Sequence, residues 1–399
     1  MSGTYNPFDP EQVDRQDELL SDLRPRCPVV EAGPGVFLLT RYDDVVAVSK
    51  DAVRFPQAPF RPLDQDDRGP DEKQLGESNP PEHAKIRKLL QSVLSPPRVR
   101  AMEPHVRAVC EELAGDLARR DRADIVAALG RPLPTAVIGV LTGVPEELRP
   151  VLHTYSDDVV AMTQSPEGAE RDAAIARVEE FDATLLEVIR ERRRAQSPPD
   201  DAMTALVRAR DDSGRALSDE KVLLHLSKDL ITGGIDTTTH LVGNLFWDLL
   251  TTGGAYEQVR HDRSLVPLAV EESLRHRPIV SVLFRQPAAD VTISDTAISA
   301  GSIVALSYAS ANHDESVFAN AAAYDLSRDE ALARRHLGFG WGIHLCVGAA
   351  LARLEATTLL SCVLDRIPRM RLAPDATYER VRFFMMRGPT RVDVEIDHS

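Results

Sequence analysis

The chain's most reactive side chain lies within its most permissive stretch of backbone, Phe339-Gly340-Trp341-Gly342-Ile343-His344-Leu345-Cys346-Val347-Gly348. With Gly338, four glycines surround Cys346. Glycine tolerates positive φ and lets a flat ligand approach the main chain. Cys346 falls where this loop enters a helix, and helix N-terminal N–H groups stabilise a thiolate. Such a thiolate can be an axial ligand to haem iron; a buried structural cysteine or a redox thiol fits the same position. A second candidate is Gly233-Gly234-Ile235-Asp236-Thr237-Thr238. Two adjacent glycines inside a helix, each costing about 1 kcal/mol against alanine, loosen its ladder and open a groove. Asp236 and Thr237 there offer an acid and a hydroxyl for proton relay, although a packed kink with a solvated Asp236 reads equally well. Glu272 and Arg275 sit three apart and can pair on one helix face, as many surface pairs do. His83 and Arg87 follow Pro80-Pro81-Glu82 and share a face near a helix start. They could bind a carboxylate or phosphate there, or could simply be solvated.

The elements that position these groups are mostly helices. Extended segments at 28–31 and 36–40 flank the turn Gly33-Pro34-Gly35 and predict a hairpin. Residues 42–50 predict a short helix, and 56–81, rich in Pro, Asp and Gly, predict a long irregular loop. Helical spacing dominates from 82 to 194 and ends in Arg190-Glu191-Arg192-Arg193-Arg194, which reads as a solvated helix terminus. Ser218-Asp219-Glu220 starts a long helix reaching about 250, with Ser218 as N-cap. Another helix spans 264–277 and stops at Pro278; β-like runs follow at 280–284 and 302–308; a final helix covers 347–367. The expected class is mainly α with small β-sheets.

Taken together and in order, these motifs resemble the cytochrome P450 monooxygenases of the soluble bacterial, class I type. The Cys346 loop matches FGxGxHxCxG at every fixed position and continues as Leu351-Ala352-Arg353. Gly233–Thr237 resembles the oxygen-activation motif, Glu272 and Arg275 the ExxR motif, and Asn79-Pro80-Pro81-Glu82-His83 the DPPEH segment. Asn79 replaces the usual Asp, Gly338 stands where Ala or Ser is usual, and Tyr324 where Phe is usual; 318–327 lacks a common proline. The resemblance implies one α-rich domain over 1–399 around a buried haem b, with a small β-containing region at about 1–80 and a helical haem-binding core at about 81–399. It implies Cys346 as iron ligand, and His83, Arg87, Arg285 and His344 as partners of the haem carboxylates. Phe339 would pack near the sulfur, Gly340 and Gly348 would belong with it to the haem-binding loop, and Glu272 and Arg275 would brace the region beneath that loop. Asp236 and Thr237 would be the acid–alcohol pair that delivers protons to O₂ during oxidation of a hydrophobic small molecule. Thiolate-ligated haem is this family's defining chemistry. By family position, the substrate pocket would draw on Phe55, Phe60, Leu63, Leu230, Ile231, Gly233, Val280, Val282, Leu283, Phe383, Phe384 and Met385. A peroxide-driven peroxygenase of the same fold, or a non-catalytic haem sensor, are the rivals.

Composition narrows the partners. The 399 residues carry 47 Lys+Arg against 62 Asp+Glu, a formal charge of −15, which argues against nonspecific nucleic-acid binding. The scattered Cys27, Cys110, Cys346 and Cys362 form no CxxC pair, which suits a reducing compartment. The polar, acidic N-terminus resembles neither a signal nor a transit peptide, and no apolar run approaches a membrane span. The expectation is a cytoplasmic monomer. No flavin or iron–sulfur signal is visible, so electrons would come from a separate ferredoxin with its NAD(P)H reductase. Lys85, Arg87, Lys88, Arg98, Arg100 and Arg107, against Glu103, form a locally basic stretch that could steer such an acidic partner.

Overall fold

Gly33-Pro34-Gly35 does reverse the chain: Val29–Gly33 pairs antiparallel with Val36–Leu39, and Gly35 takes a φ of 71° at the turn. The computed structural model describes residues 5–64, 66–165, 167–381 and 383–398. Val36–Leu39 also pairs in parallel with Ile303–Ser307, which pairs antiparallel with Val282–Arg285. Main-chain hydrogen bonds thus join the N-terminal hairpin to strands from the far half of the chain, across the boundary expected near residue 80. Arg122–Asp124, Asp393–Asp397 and Arg369–Leu372 form a second sheet, and Val291–Ile293 pairs with Thr296–Ile298 in a two-stranded one.

Helices make up the rest, so the mainly α reading with small sheets holds. The centre is Gly233–Thr251, which buries every residue from Ile235 to Leu249 except Thr237. A helix buried on all sides lies at the core of a large domain. It packs against Pro132–Thr142, Leu152–Gln164, Val266–His276 and Ala349–Arg366. Ser218 is its distant N-cap, accepting the Lys221 N–H, as the sequence predicts. The single predicted helix from 218 to 250 is interrupted, however. Asp219–Leu224 is α-helical, His225–Thr232 runs in wider i→i+5 turns, and α geometry resumes at Gly233. Such widened turns often mark functional sites.

Three further differences trace to long-range contacts. Arg122–Asp124 lies within the stretch predicted as helix, because its partner strand is 270 residues away in sequence and invisible to local pattern. Ala202–Arg208 is a helix capped by Asp201, whose side chain accepts the Thr204 N–H. The arginines at 192 and 193 are not simply solvated: Arg192 pairs with Asp201 and donates to the Gly143 carbonyl at 3.0 Å, and Arg193 pairs with Asp219 at 2.8 Å. They clamp the end of Ala169–Arg194 to its neighbours.

The 56–81 loop has two short 3₁₀ turns, Pro70–Glu72 and Leu75–Glu77, and is tied inward at several points. Asn79 accepts the Gln57 N–H at 2.7 Å and donates to the Gln57 carbonyl at 3.1 Å. An aspartate could not make the second bond, which gives a physical reason for Asn at this position. Glu77 accepts both the Phe60 N–H and the Arg68 guanidinium. No helix among the described residues is long and apolar enough to cross a membrane.

Glu272 and Arg275 pair, as the sequence predicts, but at full burial and with a third member, Arg328. The Glu272 carboxylate takes two bonds from Arg275 (2.8 and 2.9 Å), two from Arg328 (3.0 and 3.1 Å) and the Asp325 N–H. Arg275 also donates to the carbonyls of Asn312, Ala321 and Ala323. Removing one member of a buried ion group leaves the others uncompensated, at about 3–5 kcal/mol. Glu272→Gln is therefore expected to lower the thermal midpoint by several degrees. A melting curve superimposable on the parent's would refute the brace.

Candidate active site

The loop that carries Cys346 is built by glycine. Gly340 and Gly342 both hold φ near +70°, and a Cβ on Gly342 would lie 2.4 Å from the Ser49 carbonyl oxygen. Gly338 is pressed against helix Val266–His276, where a Cβ would meet the Leu274 carbonyl oxygen at 2.7 Å. That close approach accounts for glycine at 338. The loop closes through Cys346 N–H to the Phe339 carbonyl (2.8 Å) and Gly340 N–H to the Leu337 carbonyl (2.8 Å). Leu337 N–H is bound by Asn312, whose carbonyl Arg275 holds, so the Glu272 brace reaches the loop in two steps. A second brace lies beside it, where Glu271 accepts from His336 (2.9 Å) and Arg353 (2.6 and 2.9 Å). Arg353 also covers the Phe339 ring at 4.5 Å. Tyr324 earns its hydroxyl by donating to the Ala269 carbonyl at 2.9 Å, a bond Phe would lack.

Cys346 is exposed, and its side chain opens onto a cavity of about 240 Å³. Burial raises its thiol above the ordinary value, opposed by the N–H groups of Gly348 and Ala349 and by Arg87 and Arg353. Gly348 leads into Ala349–Arg366, so helix N-terminal N–H groups do face the sulfur.

Four of the predicted anion-binding side chains converge beside this loop. His83, on Glu82–Val93, lies with its ring 4.3 Å from that of His344. Both histidines are held far towards neutrality, mainly by burial. His83, also beside Arg87, falls to about 4, and His344, also beside Arg285, His83 and Arg87, to about 2. Arg87 donates to the Leu345 carbonyl at 2.8 Å. Arg285 is buried and donates through Nη1 to Gln57 and the Phe284 carbonyl. His83 Nε2, Arg285 Nη2 and both ring nitrogens of His344 are buried without a hydrogen-bond partner among the described residues. Buried polar atoms are rarely left so, and four in one cluster mark a place for acceptors.

Across the cavity, Thr237 lines the wall and its hydroxyl donates to the Gly233 carbonyl at 2.6 Å. Asp236 does not line it. Adjacent helix positions face different ways, and Asp236 is buried beside His240, whose Nε2 lies 3.8 Å from its Oδ1. Burial raises the Asp236 carboxyl to about 7, the nearby Asp157 adding to this and Arg131 opposing it. Its Oδ2 has no partner among the described residues. Gly234 packs closely on Ile138: a Cβ there would lie 2.4 Å from the Ile138 Cδ1, so that side chain would have to shift.

Of the predicted pocket residues, Leu230, Gly233, Val280 and Leu283 line the cavity. Ile231 and Val282 turn instead into the core, fully or nearly fully buried. Phe60 covers Gly76 and lines a separate groove with Val159 and Met162, and Phe384 packs its ring at a tilt against those of Phe8 and Phe284. Phe55 is likewise core, Leu63 is exposed, and Phe383 and Met385 lie outside the wall. Period alone does not say which face of a strand or loop meets a cavity. Asp229, Ile138, Leu241 and Glu355 line it and were not anticipated. Burial alone lifts Glu355 to about 8.

The basic stretch at 85–107 is largely neutralised locally. Lys85 pairs with Glu82 (2.8 Å) and Asp212 (3.0 Å), Arg98 with Asp200 (2.7 Å) and Arg107 with Glu103 (3.6 Å), while Arg87 turns inward. Lys88 and Arg100 remain exposed without an ion-pair partner among the described residues.

Residues 32–368 match the cytochrome P450 family profile. The chain is 36% identical over 358 residues to the cyclomarin C epoxidase CymV of Salinispora arenicola, covering 88% of each. It is 33% identical over 394 residues to the 6-deoxyerythronolide B hydroxylase of Saccharopolyspora erythraea, covering 95% of this chain and 94% of that one. The structure of cytochrome P450 CYP109Q5 from Chondromyces apiculatus superposes over 100% of both chains with a TM-score of 0.87 at 30% identity. The glycine-built cysteine loop, its buried Glu–Arg brace, the central helix and the whole-chain likeness lead to one conclusion: this chain belongs to the cytochrome P450 family.

Proposed function

We propose that this chain is a haem-thiolate monooxygenase that activates O₂ with electrons from a ferredoxin and oxidises a hydrophobic small molecule. The observation that carries the reading is the Cys346 thiol facing an apolar-walled cavity, with unpartnered buried nitrogens of His83, Arg285 and His344 gathered beside it. Those side chains fit haem b: a thiol to ligate iron, and donors for two carboxylates. Haem, when bound, supplies O₂ binding and the oxidising power, with the thiolate favouring O–O cleavage.

The chain's own residues supply the rest. Arg87 and Arg285 would neutralise the haem carboxylates, His83 and His344 would orient them as neutral hydrogen-bond donors, and Phe339 and Gly340 would shape the ground beneath them. A cation at the sulfur would offset the burial that otherwise holds Cys346 protonated. The apolar wall, including Leu230, Val280 and Leu283, would hold an apolar substrate and exclude water. Thr237 would present its hydroxyl at the wall, and Asp236 would move protons towards it from the side of Arg131, Asp157 and His240. A carboxyl that titrates near neutrality suits such transfer. The Asp–Thr pair favours O₂ over peroxide as oxidant, because peroxide needs no proton delivery of this kind. The names of the relatives, an epoxidase and a hydroxylase, support oxygen insertion into C–H or C=C bonds. Lys88 and Arg100 would mark the ferredoxin-docking face, narrower than the sequence stretch suggests.

Three outcomes test this reading. The reduced protein under CO should show the red-shifted thiolate Soret band, and Cys346→Ser should lose it; a haem-replete parent without that band would overturn the proposal. Thr237→Ala should keep substrate binding and NAD(P)H consumption but lower product per NAD(P)H several-fold; unchanged coupling would remove Thr237 from proton delivery. For Asp236, the folded-state value of about 7 lies above the ordinary aspartate value of 3.8. The unfolded chain then binds fewer protons between these values, so stability falls as pH rises from about 4 to 7 and the penalty persists above. Asp236→Asn should therefore raise the melting temperature at pH 8 by at least roughly 2 °C and leave it little changed at pH 4.5. Equal shifts at both pH values would show that the carboxyl is not strained by burial.

A further inference from the structure

Asp229 breaks the pattern of the cavity wall. The same cavity is lined by Leu230, Ile279, Val280 and Leu283, yet Asp229 adds a carboxylate to its wall with the side chain 8% exposed, a second carboxyl being that of Glu355. It sits in the widened turns of the central helix, eight residues before Thr237 and so roughly 12 Å along the axis. Its Oδ1 accepts the Leu75 N–H at 3.0 Å, and Oδ2 meets His225 Nδ1 at 2.8 Å. Each carboxylate oxygen has two acceptor sites, so both keep one free.

No lysine or arginine hydrogen-bonds or ion-pairs with Asp229 among the described residues. Its chain neighbour Lys228 turns away to Tyr155 and Asp182. The other charged group nearby is Glu77, which is itself committed to Arg68. Burial holds the Asp229 carboxyl above its ordinary value, against the opposing effects of His225 and the Leu75 N–H, with Glu77 adding to burial. This is an acid on an apolar wall whose charge the protein compensates only in part. Buried charges of this kind are satisfied by a partner of opposite sign.

We propose that Asp229 is a specificity-determining residue: it receives a cationic nitrogen carried by an otherwise apolar substrate, about two helical turns from the carbon oxidised beside Thr237. The substrate class is then an aliphatic or alicyclic amine with a long apolar body, oxidised at a site remote from its nitrogen. This deepens the monooxygenase reading and rests on it.

The test uses the haem-loaded protein and three probes of equal chain length: decyltrimethylammonium, 1-decanol and decanoate. A quaternary nitrogen cannot ligate iron, so its spectral response reports pocket binding alone. Soret titration and calorimetry should give the ammonium a Kd at least about tenfold below that of the alcohol, with the carboxylate weakest. Asp229→Asn should abolish the preference while the alcohol's Kd stays within about twofold, and Asp229→Glu should retain it. Equal or absent binding of the three probes by the parent protein overturns the assignment, as does a preference that survives in Asp229→Asn. The parent's ranking decides even if the variant folds poorly. A normal thiolate band with a flat ranking sinks Asp229 alone; a missing thiolate band sinks the monooxygenase reading beneath it.

Discussion

One buried carboxylate organises the face of the molecule that carries Cys346. Glu272 neutralises Arg275 and Arg328, and those guanidiniums spend their remaining donors on carbonyls of residues 312–323. A guanidinium has five N–H groups in a fixed fork, so once its charge is held it can pin several strands of irregular chain at once. The segment before the cysteine loop has little regular structure of its own, and this fork replaces the ladder it lacks. Through Asn312 and Leu337 the constraint passes to the loop, and Gly338 allows the loop to lie directly on the helix that bears Glu272. The brace need not be a net source of stability, since burying ions is costly. Its effect is geometric: it specifies where a single sulfur points.

The opposite wall depends on a helix that is not uniform. Widened turns at His225–Thr232 precede the glycine pair, and the hydroxyl of Thr237 bonds back to the Gly233 carbonyl. A local change of helical period re-aims side chains relative to an even α-helix. Thr237 and Asp229 consequently meet the cavity, whereas Asp236 faces a buried polar region with His240, Arg131 and Asp157. The acid and the alcohol are neighbours in sequence yet stand on different sides of the helix. One group faces the cavity and the other faces the buried polar region.

Much of this was readable from local pattern. The hairpin at Gly33-Pro34-Gly35, the Ser218 cap, the stop at Pro278 and the glycine loop follow from turn, cap and φ preferences that act within a few residues. Readings that failed concerned partners far away in the chain. Strand Arg122–Asp124 exists because residues 393–397 lie beside it, and the arginines at 192 and 193 are clamps because Asp201 and Asp219 come back to meet them. In the basic stretch at 85–107, two of the six cations, Lys85 and Arg98, are met in the same way by Asp212 and Asp200.

By itself the sequence named the candidates: a cysteine suited to ligate iron, an acid and a hydroxyl suited to move protons, and the glycines a flat ligand would require. Those properties reside in side-chain type and short spacing, so they survive without a fold. Only the tertiary structure decided which surfaces meet. It placed Phe60, Ile231, Val282 and Phe384 away from the cavity, drew Arg328 into the brace, and set Asp229 on the apolar wall. Burial and electrostatic pairing are properties of what surrounds a group, and in a chain of 399 residues most of those surroundings come from far along the sequence.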